Sequence, residues 1–351
     1  MDMKRDYYED IRLFDSTTVL VATVAFLALL AILPFFLAGW RLSNLNLIAI
    51  HCIVALGLNI LVGYTGQVSL GHAGFFAIGA YTCVLLMVKC GVPFILALPA
   101  AGFMAALFGF LLGLPSLRLE GPYLAIATLG FGMATTQIIS HSDFTGGHGG
   151  IAAPQISLFG FVADSDVKLY AVIVTVTVIM TFAAINLMKT RVGRAFVAIR
   201  DSEIAAEAMG ISLNWYKTLA FAVSAFYAGI AGALFAFYLG HLSAGSFNLI
   251  LSITFLAMVV VGGLGSIKGS ILGAALLTYL LFSMRVENIK AVPLLGPLLV
   301  EISKKWFSLQ GLPNFVYIVI GSIMIAIVIF EPHGLNGIYL RMKRYFKMWP
   351  F

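Results

Sequence analysis

Charge is what this chain has least of. Asp, Glu, Lys and Arg make up 10% of its 351 residues, against roughly 25% in an ordinary soluble domain. With 61% of its residues hydrophobic it cannot cover itself with a polar surface, so the expected environment is a lipid bilayer. Cysteine is sparse. Cys52, Cys83 and Cys90 lie in apolar stretches without metal-ligand spacing, which speaks against a disulfide framework or a thiolate metal centre. A nucleotide fingerprint is missing too. The nearest approach, Val261 to Gly269, fails as a phosphate loop because Lys268 follows Ile267 rather than a glycine. Any fuel for active transport must then be burned by another subunit. Acidic residues are absent from the apolar segments, and the ionisable candidates there are His51 and His72, both expected near span ends. Proton-coupled carriers usually need an ionisable group within the membrane, so a proton-driven carrier is disfavoured, while sodium coupling through carbonyls survives. The net charge of +6 does not point to nucleic acid, because the cations are scattered at loop ends instead of interleaved with aromatics.

What is present is a series of apolar segments. They fall at about 19–38, 45–62, 73–90, 93–113, 122–140, 168–188, 218–239, 250–263, 269–283 and 313–330. Most approach the ~20 residues a helix needs to cross a bilayer. Their apolar runs are continuous, without the alternation of a membrane barrel. The expected fold is all-α, a polytopic membrane protein with about ten transmembrane helices, in which 250–263 and 269–283 are short, tilted or broken. The first segment is longer than a signal h-region and lacks a small-residue cleavage pattern, so it reads as a retained helix. With the N-terminus inside, 14 basic residues fall on the inner side and 7 on the outer, in agreement with the positive-inside rule. This gives an inner N-terminal segment 1–18, a transmembrane body 19–330 and a basic inner tail 331–351. Long outer segments are expected at His141–Val167 and Met284–Leu312.

The longest charged run, Lys189 to Lys217, separates two apolar blocks on the inner side. Asp201 and Ser202 can cap a helix, Glu203 suits its first turn, and Gly210 can close it. The expectation is a short helix over about 202–209, available to a soluble partner, with 214–217 returning the chain to the interface. Three glycine-rich stretches follow. Gly63-Tyr64-Thr65-Gly66-Gln67-Val68-Ser69-Leu70-Gly71-His72-Ala73-Gly74 interrupts two apolar helices and adds uncharged polarity, as broken helices lining a transport pathway do. Gly71, Gly74 and Gly79 also suit close helix packing. A shift of 199 lays Gly63, Gly66 and Gly74 on Gly262, Gly265 and Gly273, which raises the possibility of two related halves. Thr145 to Gly150 forms a glycine-rich outer loop whose amides could meet a carboxylate or simply turn; His148 reads as solvated, and no paired histidines suggest a metal.

These motifs, with Leu119-Glu120-Gly121-Pro122-Tyr123-Leu124-Ala125, Thr128-Leu129-Gly130, Gly193-Arg194-Ala195-Phe196, Ala198 to Ala206 and Gly262 to Ser266, resemble the LivM-type permeases of branched-chain amino acid ABC importers. The resemblance covers roughly 45–285 and implies a non-catalytic permease in a bacterial inner membrane. It implies pairing with a second, related permease, two ATPase subunits that bind the ATP, and a periplasmic amino-acid-binding protein; no cofactor of the chain's own is implied. It makes 189–217 the coupling loop, with Gly193, Arg194, Arg200, Asp201, Glu203, Ala206, Glu207 and Gly210 as ATPase-coupling residues. Arg194, Arg200, Glu203 and Glu207 are its docking candidates. Gly63, Tyr64, Thr65, Gly66, Gln67, Ser69, His72, Tyr123 and Thr128 would border the translocation pathway. Relatives often carry a polar or acidic residue where this chain has His148-Gly149, and urea and short-amide importers use similar permeases. The alternative from another class is a self-sufficient secondary carrier.

Overall fold

A computed structural model describes residues 17–37, 39–116, 119, 121–158, 161–162, 165–283 and 334–348, with scattered positions from 318 to 331. Twelve helices are used below. They are α1 (Thr17–Phe36), α2 (Trp40–Thr65), α3 (His72–Cys90), α4 (Phe94–Ser116), α5 (Pro122–His141) and α6 (Asp166–Lys189). Then come α7 (Arg191–Asp201), α8 (Glu203–Ala208), α9 (Leu213–Leu239), α10 (Leu249–Gly262), α11 (Ile267–Ser283) and α12 (Gly334–Met348). Strand content is minimal, as expected where lipid can satisfy no open sheet edge. Ile151–Ala152 pairs with His241–Leu242, and Ser157–Leu158 with Phe161–Val162.

Among the described residues, 7 helical stretches are long and apolar enough to cross a membrane, and Thr23–Phe36 and Ile267–Phe282 are shorter apolar helices. The expected span at 313–330 and the outer segment at 284–312 lie largely or wholly outside the described residues, as do Lys4, Arg5, Arg12 and Arg118.

The bundle is built around α2, whose residues are nearly all buried, with α6, α9, α10 and α11 packed on it. The second axis, α9, packs on α2, α3 and α4. Glycine makes these approaches possible: a Cβ on Gly79 would stand 2.2 Å from the Gly229 carbonyl oxygen. Gly79→Leu is therefore expected to destabilise the bundle by more than the ~1–3 kcal/mol of ordinary overpacking, read as a lower melting temperature of the purified protein.

Three sequence expectations change. His51 was placed near a span end but lies well inside α2, fully surrounded, with Nδ1 2.8 Å from the Thr278 hydroxyl and its ring edge-on to Phe255. A helix that continues from Trp40 to Thr65 exceeds the apolar run by which its limits were judged. The segment 189–201 is not loop: Val192, Ala195, Phe196 and Ile199 repeat at helical spacing, and α7 turns that stripe inward. Residues 214–217 belong to the first turns of α9, where Lys217 is buried.

The interruption after α2 has a measurable depth. His72 opens α3 and its Nε2 lies 2.7 Å from the Ser224 hydroxyl of α9. Ser224 is 11 residues into α9 (224 − 213), about 16 Å at 1.5 Å per residue. The amide of Ala73 donates to Ser252 in the first turn of α10 (2.9 Å). Both α3 and α10 thus begin well inside the bundle.

Candidate functional site

Two places gather the candidate residues. The first is the polar end formed by α7 and α8. The turn between α6 and α7 needs Gly193, because a Cβ there would lie 2.4 Å from the Met188 carbonyl oxygen. The hydroxyl of Ser202 accepts from the amide of Ala205 and caps α8, as its residue type predicts. Gly210 leaves the helix at φ +82°, a left-handed conformation that glycine adopts without strain. Ala206 is buried and anchors the short helix from below.

The docking candidates do not all point outward. Glu203 is ion-paired to the buried Lys217 of α9, so its carboxylate is engaged within the chain. Asp201 accepts from Arg200 Nε and Nη2 at 3.0 and 2.9 Å. Arg194 reaches the Lys189 carbonyl at 3.2 Å. Glu207 is exposed, and its carboxylate meets no partner among the described residues. Sequence reasoning missed its neighbours Ile204 and Met209, each 83% exposed. The signal was available: Ile204, in the six-residue helix that buries only Ala206, and Met209, the residue that ends it, are large apolar residues in a charged segment. Because Lys217 is buried while Glu203 is partly exposed, Glu203→Gln, which keeps an acceptor but removes the counter-charge, is expected to cost ~1–3 kcal/mol of stability, seen as a lower melting temperature, with ATPase recruitment retained.

The second place is the interruption between α2 and α3. Thr65 donates to the Leu61 carbonyl, and Gln67 Nε2 lies 3.3 Å from the Thr65 hydroxyl. The side-chain oxygen of Gln67 is buried with no partner among the described residues. Ser69 meets His72 Nδ1 at 3.0 Å, and the amide of Leu70 donates to Thr128 of α5 at 2.9 Å. His72 therefore spends both ring nitrogens on hydroxyls, Ser69 and Ser224. These bonds hold an irregular backbone inside an apolar bundle, where unpaired polar groups are costly. Tyr123 stands apart, 71% exposed at the start of α5. Gly63, Tyr64 and Gly66 lie at the other end of the interruption, beside α7 and α11.

Between the interruption, α5 and the start of α10 lies a half-open pocket of about 170 Å³, with Met133, Gln137, Asn248 and Leu249 on its exposed side, far larger than the ~10–15 Å³ that one water needs by the same measure. Leu70, Ala73, Leu129, Met133, Phe247 and Leu249 give it an apolar lining, and Thr136, Gln137, Asn248 and Ser252 give it polar points. The sequence-predicted pathway residues frame this cavity rather than line it: Ser69 and His72 flank Leu70, and Thr128 precedes Leu129. Gln137 and Asn248 could have been noticed as polar residues at the ends of apolar segments.

The glycine-rich loop at 145–150 folds at the opposite end from α7. The hydroxyl of Thr145 donates to the Ile139 carbonyl (2.7 Å), and Lys89 donates to the Phe144 carbonyl (2.8 Å) over the Phe144 ring. His148 is exposed as expected, but its ring meets His141 edge-on at 5.2 Å. That pairing is made through space by the turn at 142–147, so the sequence spacing concealed it. Among the described residues, no group of three or more potential metal ligands is present.

A helical bundle whose apolar spans are interrupted beside a pocket has the build of a membrane permease. Comparison with known proteins gives the particular family. Residues 41–328 match the model of the branched-chain amino acid transport system / permease component, and the chain belongs to that family. It is 39% identical over 302 residues to the high-affinity branched-chain amino acid transport system permease protein LivM of Escherichia coli, covering 79% of this chain and 71% of that one. It is 23% identical to LivH of Salmonella typhimurium, over 67% of this chain and 82% of the relative. The fructose import permease protein FruG of Bifidobacterium longum is 25% identical, over 63% of this chain and 67% of its own. No solved structure gives a significant match. The chain is accordingly a non-catalytic transport subunit and a multi-pass membrane protein.

Proposed function

We propose that the chain carries hydrophobic, branched-chain amino acids inward across a bacterial inner membrane, driven by ATP that partner subunits bind and hydrolyse. The observation that carries this reading is the half-open pocket. Its apolar walls suit a branched aliphatic side chain, and its few polar points can receive the carboxylate and ammonium ends of an amino acid. A sugar or urea would leave those walls unused. Gly63 to Gly66, Gln67, Ser69, His72 and Thr128 act as the frame that holds the pathway open, and Tyr123 at the start of α5 stands apart from it. The division into an N-terminal segment 1–18, a permease body 19–330 and a tail 331–351, and a full count of ten spans, belong to the same reading. So does a relation between two halves, which the left-handed backbone shared by Gly66 and Gly265 (φ +74° and +72°) fits.

The segment 189–217 is the ATPase-facing element. Its exposed knob of Ile204, Glu207 and Met209 supports docking into a groove of a soluble partner. The remaining assembly consists of a second, related permease, of which the LivH likeness is the sign, two ATPases and a periplasmic amino-acid-binding protein. The test is uptake into proteoliposomes. Leucine is expected to enter only when ATP, both ATPases, the second permease and loaded binding protein are present. Leucine accumulation by this chain alone, down a sodium or proton gradient, would replace the proposal with a self-sufficient carrier.

A further inference from the structure

Arg200 was assigned to docking by its place in the charged segment, but its side chain turns away from the knob. Nη1 donates to the Gly63 carbonyl at 3.1 Å. Gly63 lies in the last turn of α2, where carbonyls have no helical partner and favour a cation. A Cβ on Gly66 would touch Arg200 Cγ at 3.6 Å, and one on Gly265 would lie 2.9 Å from Nη1. Gly63 in turn packs on the Gly265 amide, 2.3 Å from where its own Cβ would stand. Three glycines from two turns thus form a slot that holds one arginine. The turns are joined directly as well: Asn59 accepts from the Gly265 amide (2.9 Å) and donates to the Ser266 carbonyl (3.0 Å). Asp201 fixes the other edge of the guanidinium.

The two turns in the slot have a common destination. From Gly66 the chain runs through the interruption to Leu70 and Ala73. From Gly262, α10 runs back to Ser252 and Leu249. All four residues line the cavity. We infer that Arg200 is a positioning residue that transmits movement of α7 and α8 to both walls of the cavity, through the slot formed by Gly63, Gly66 and Gly265. This rests on the reading of 189–217 as the ATPase-facing element. It separates two roles within that element: the knob at Ile204 and Met209 binds the ATPase, and Arg200 makes the binding count.

The experiment uses the complete transporter in proteoliposomes, with Arg200→Gln, Arg200→Lys and Gly265→Ala. Three quantities are read: ATPase copurification, ATP hydrolysis, and leucine moved per ATP. Arg200→Gln is expected to keep the ATPase bound and hydrolysing, while leucine moved per ATP falls about tenfold or more, the effect of losing a charge-assisted hydrogen bond on a working equilibrium. Arg200→Lys, which can still donate to the Gly63 carbonyl, is expected to recover part of the ratio. Gly265→Ala brings a methyl to 2.9 Å from Nη1, at a left-handed backbone (φ +72°), and is expected to lower the ratio at least as far as Arg200→Gln, with little further loss in the double variant. An unchanged ratio in Arg200→Gln overturns the inference, and so does a lower melting temperature with no change in ratio. Loss of ATPase copurification in both Arg200 variants would make Arg200 a docking contact and also overturns it. Failure of the underlying reading shows elsewhere: the ATPase would then remain bound when Ile204 and Met209 are changed.

Discussion

Changing Ile204 and Met209 together to glutamate is expected to strip the ATPase from the complex while leaving the chain folded in the membrane. Each side chain is 83% exposed, Ile204 on α8 and Met209 at its C-terminal end, so neither contributes to the core of this chain. Burying a side chain of this size is worth ~1.5–3 kcal/mol. Removing two such contacts, and asking a partner to desolvate two carboxylates instead, weakens association by at least about a hundredfold. Pull-down of the ATPase on the tagged permease measures this directly, with membrane insertion and melting temperature as controls. Glu207→Lys is the milder companion, acting on an exposed charge. Full copurification of the ATPase with the double variant would move the docking surface elsewhere.

Leu129→Trp is expected to reduce leucine uptake by tenfold or more, with the ATPase still bound. Leu129 lines the cavity and is only half-buried, so a larger ring has room to enter it. A space of about 170 Å³ cannot lose the extra volume of an indole and still hold an amino acid. A loss of only ~1.4 kcal/mol of solute binding is already tenfold. The thiol variant Met133→Cys, in a background where exposed Cys90 is serine, gives an independent reading: leucine should slow its alkylation. Normal uptake by Leu129→Trp would place the pathway outside this cavity.

Much of this arrangement was legible in the residues. The limits of α10 and α11 follow the two short apolar segments, and α8 (Glu203–Ala208) lies where Ser202 and Gly210 mark its ends. Those signals are local: a cap, a left-handed glycine and an apolar run are written in adjacent positions. What was not legible depends on partners far along the chain. Glu203 looked like a free acid until Lys217, 14 residues on, was found turned inward to meet it. His51 looked close to an end because the apolar run was counted from about residue 45, yet α2 starts at Trp40 and buries Asn44 and Asn46 within it. The cavity needed residues from three separate stretches, 70–73, 129–137 and 247–252, and no spacing within one stretch announces it. Val192, Ala195, Phe196 and Ile199 do stand at helical spacing, but the density of charge around them hid the stripe and left 189–201 read as loop.

The short length of α10 has a mechanical consequence. It is held at Gly263, where φ is +112° and the neighbouring Gly265 is fastened by Asn59, and it ends 14 residues away at the cavity. A rod of that length is about 21 Å long, so a tilt of ~10° at Gly263 would carry its other end, together with the Ala73 amide bonded to Ser252, by ~4 Å. That sweep is comparable to the width of an aliphatic side chain. Small rocking at the polar end of the molecule would be magnified at the pocket that we propose receives the solute, without any helix having to unwind.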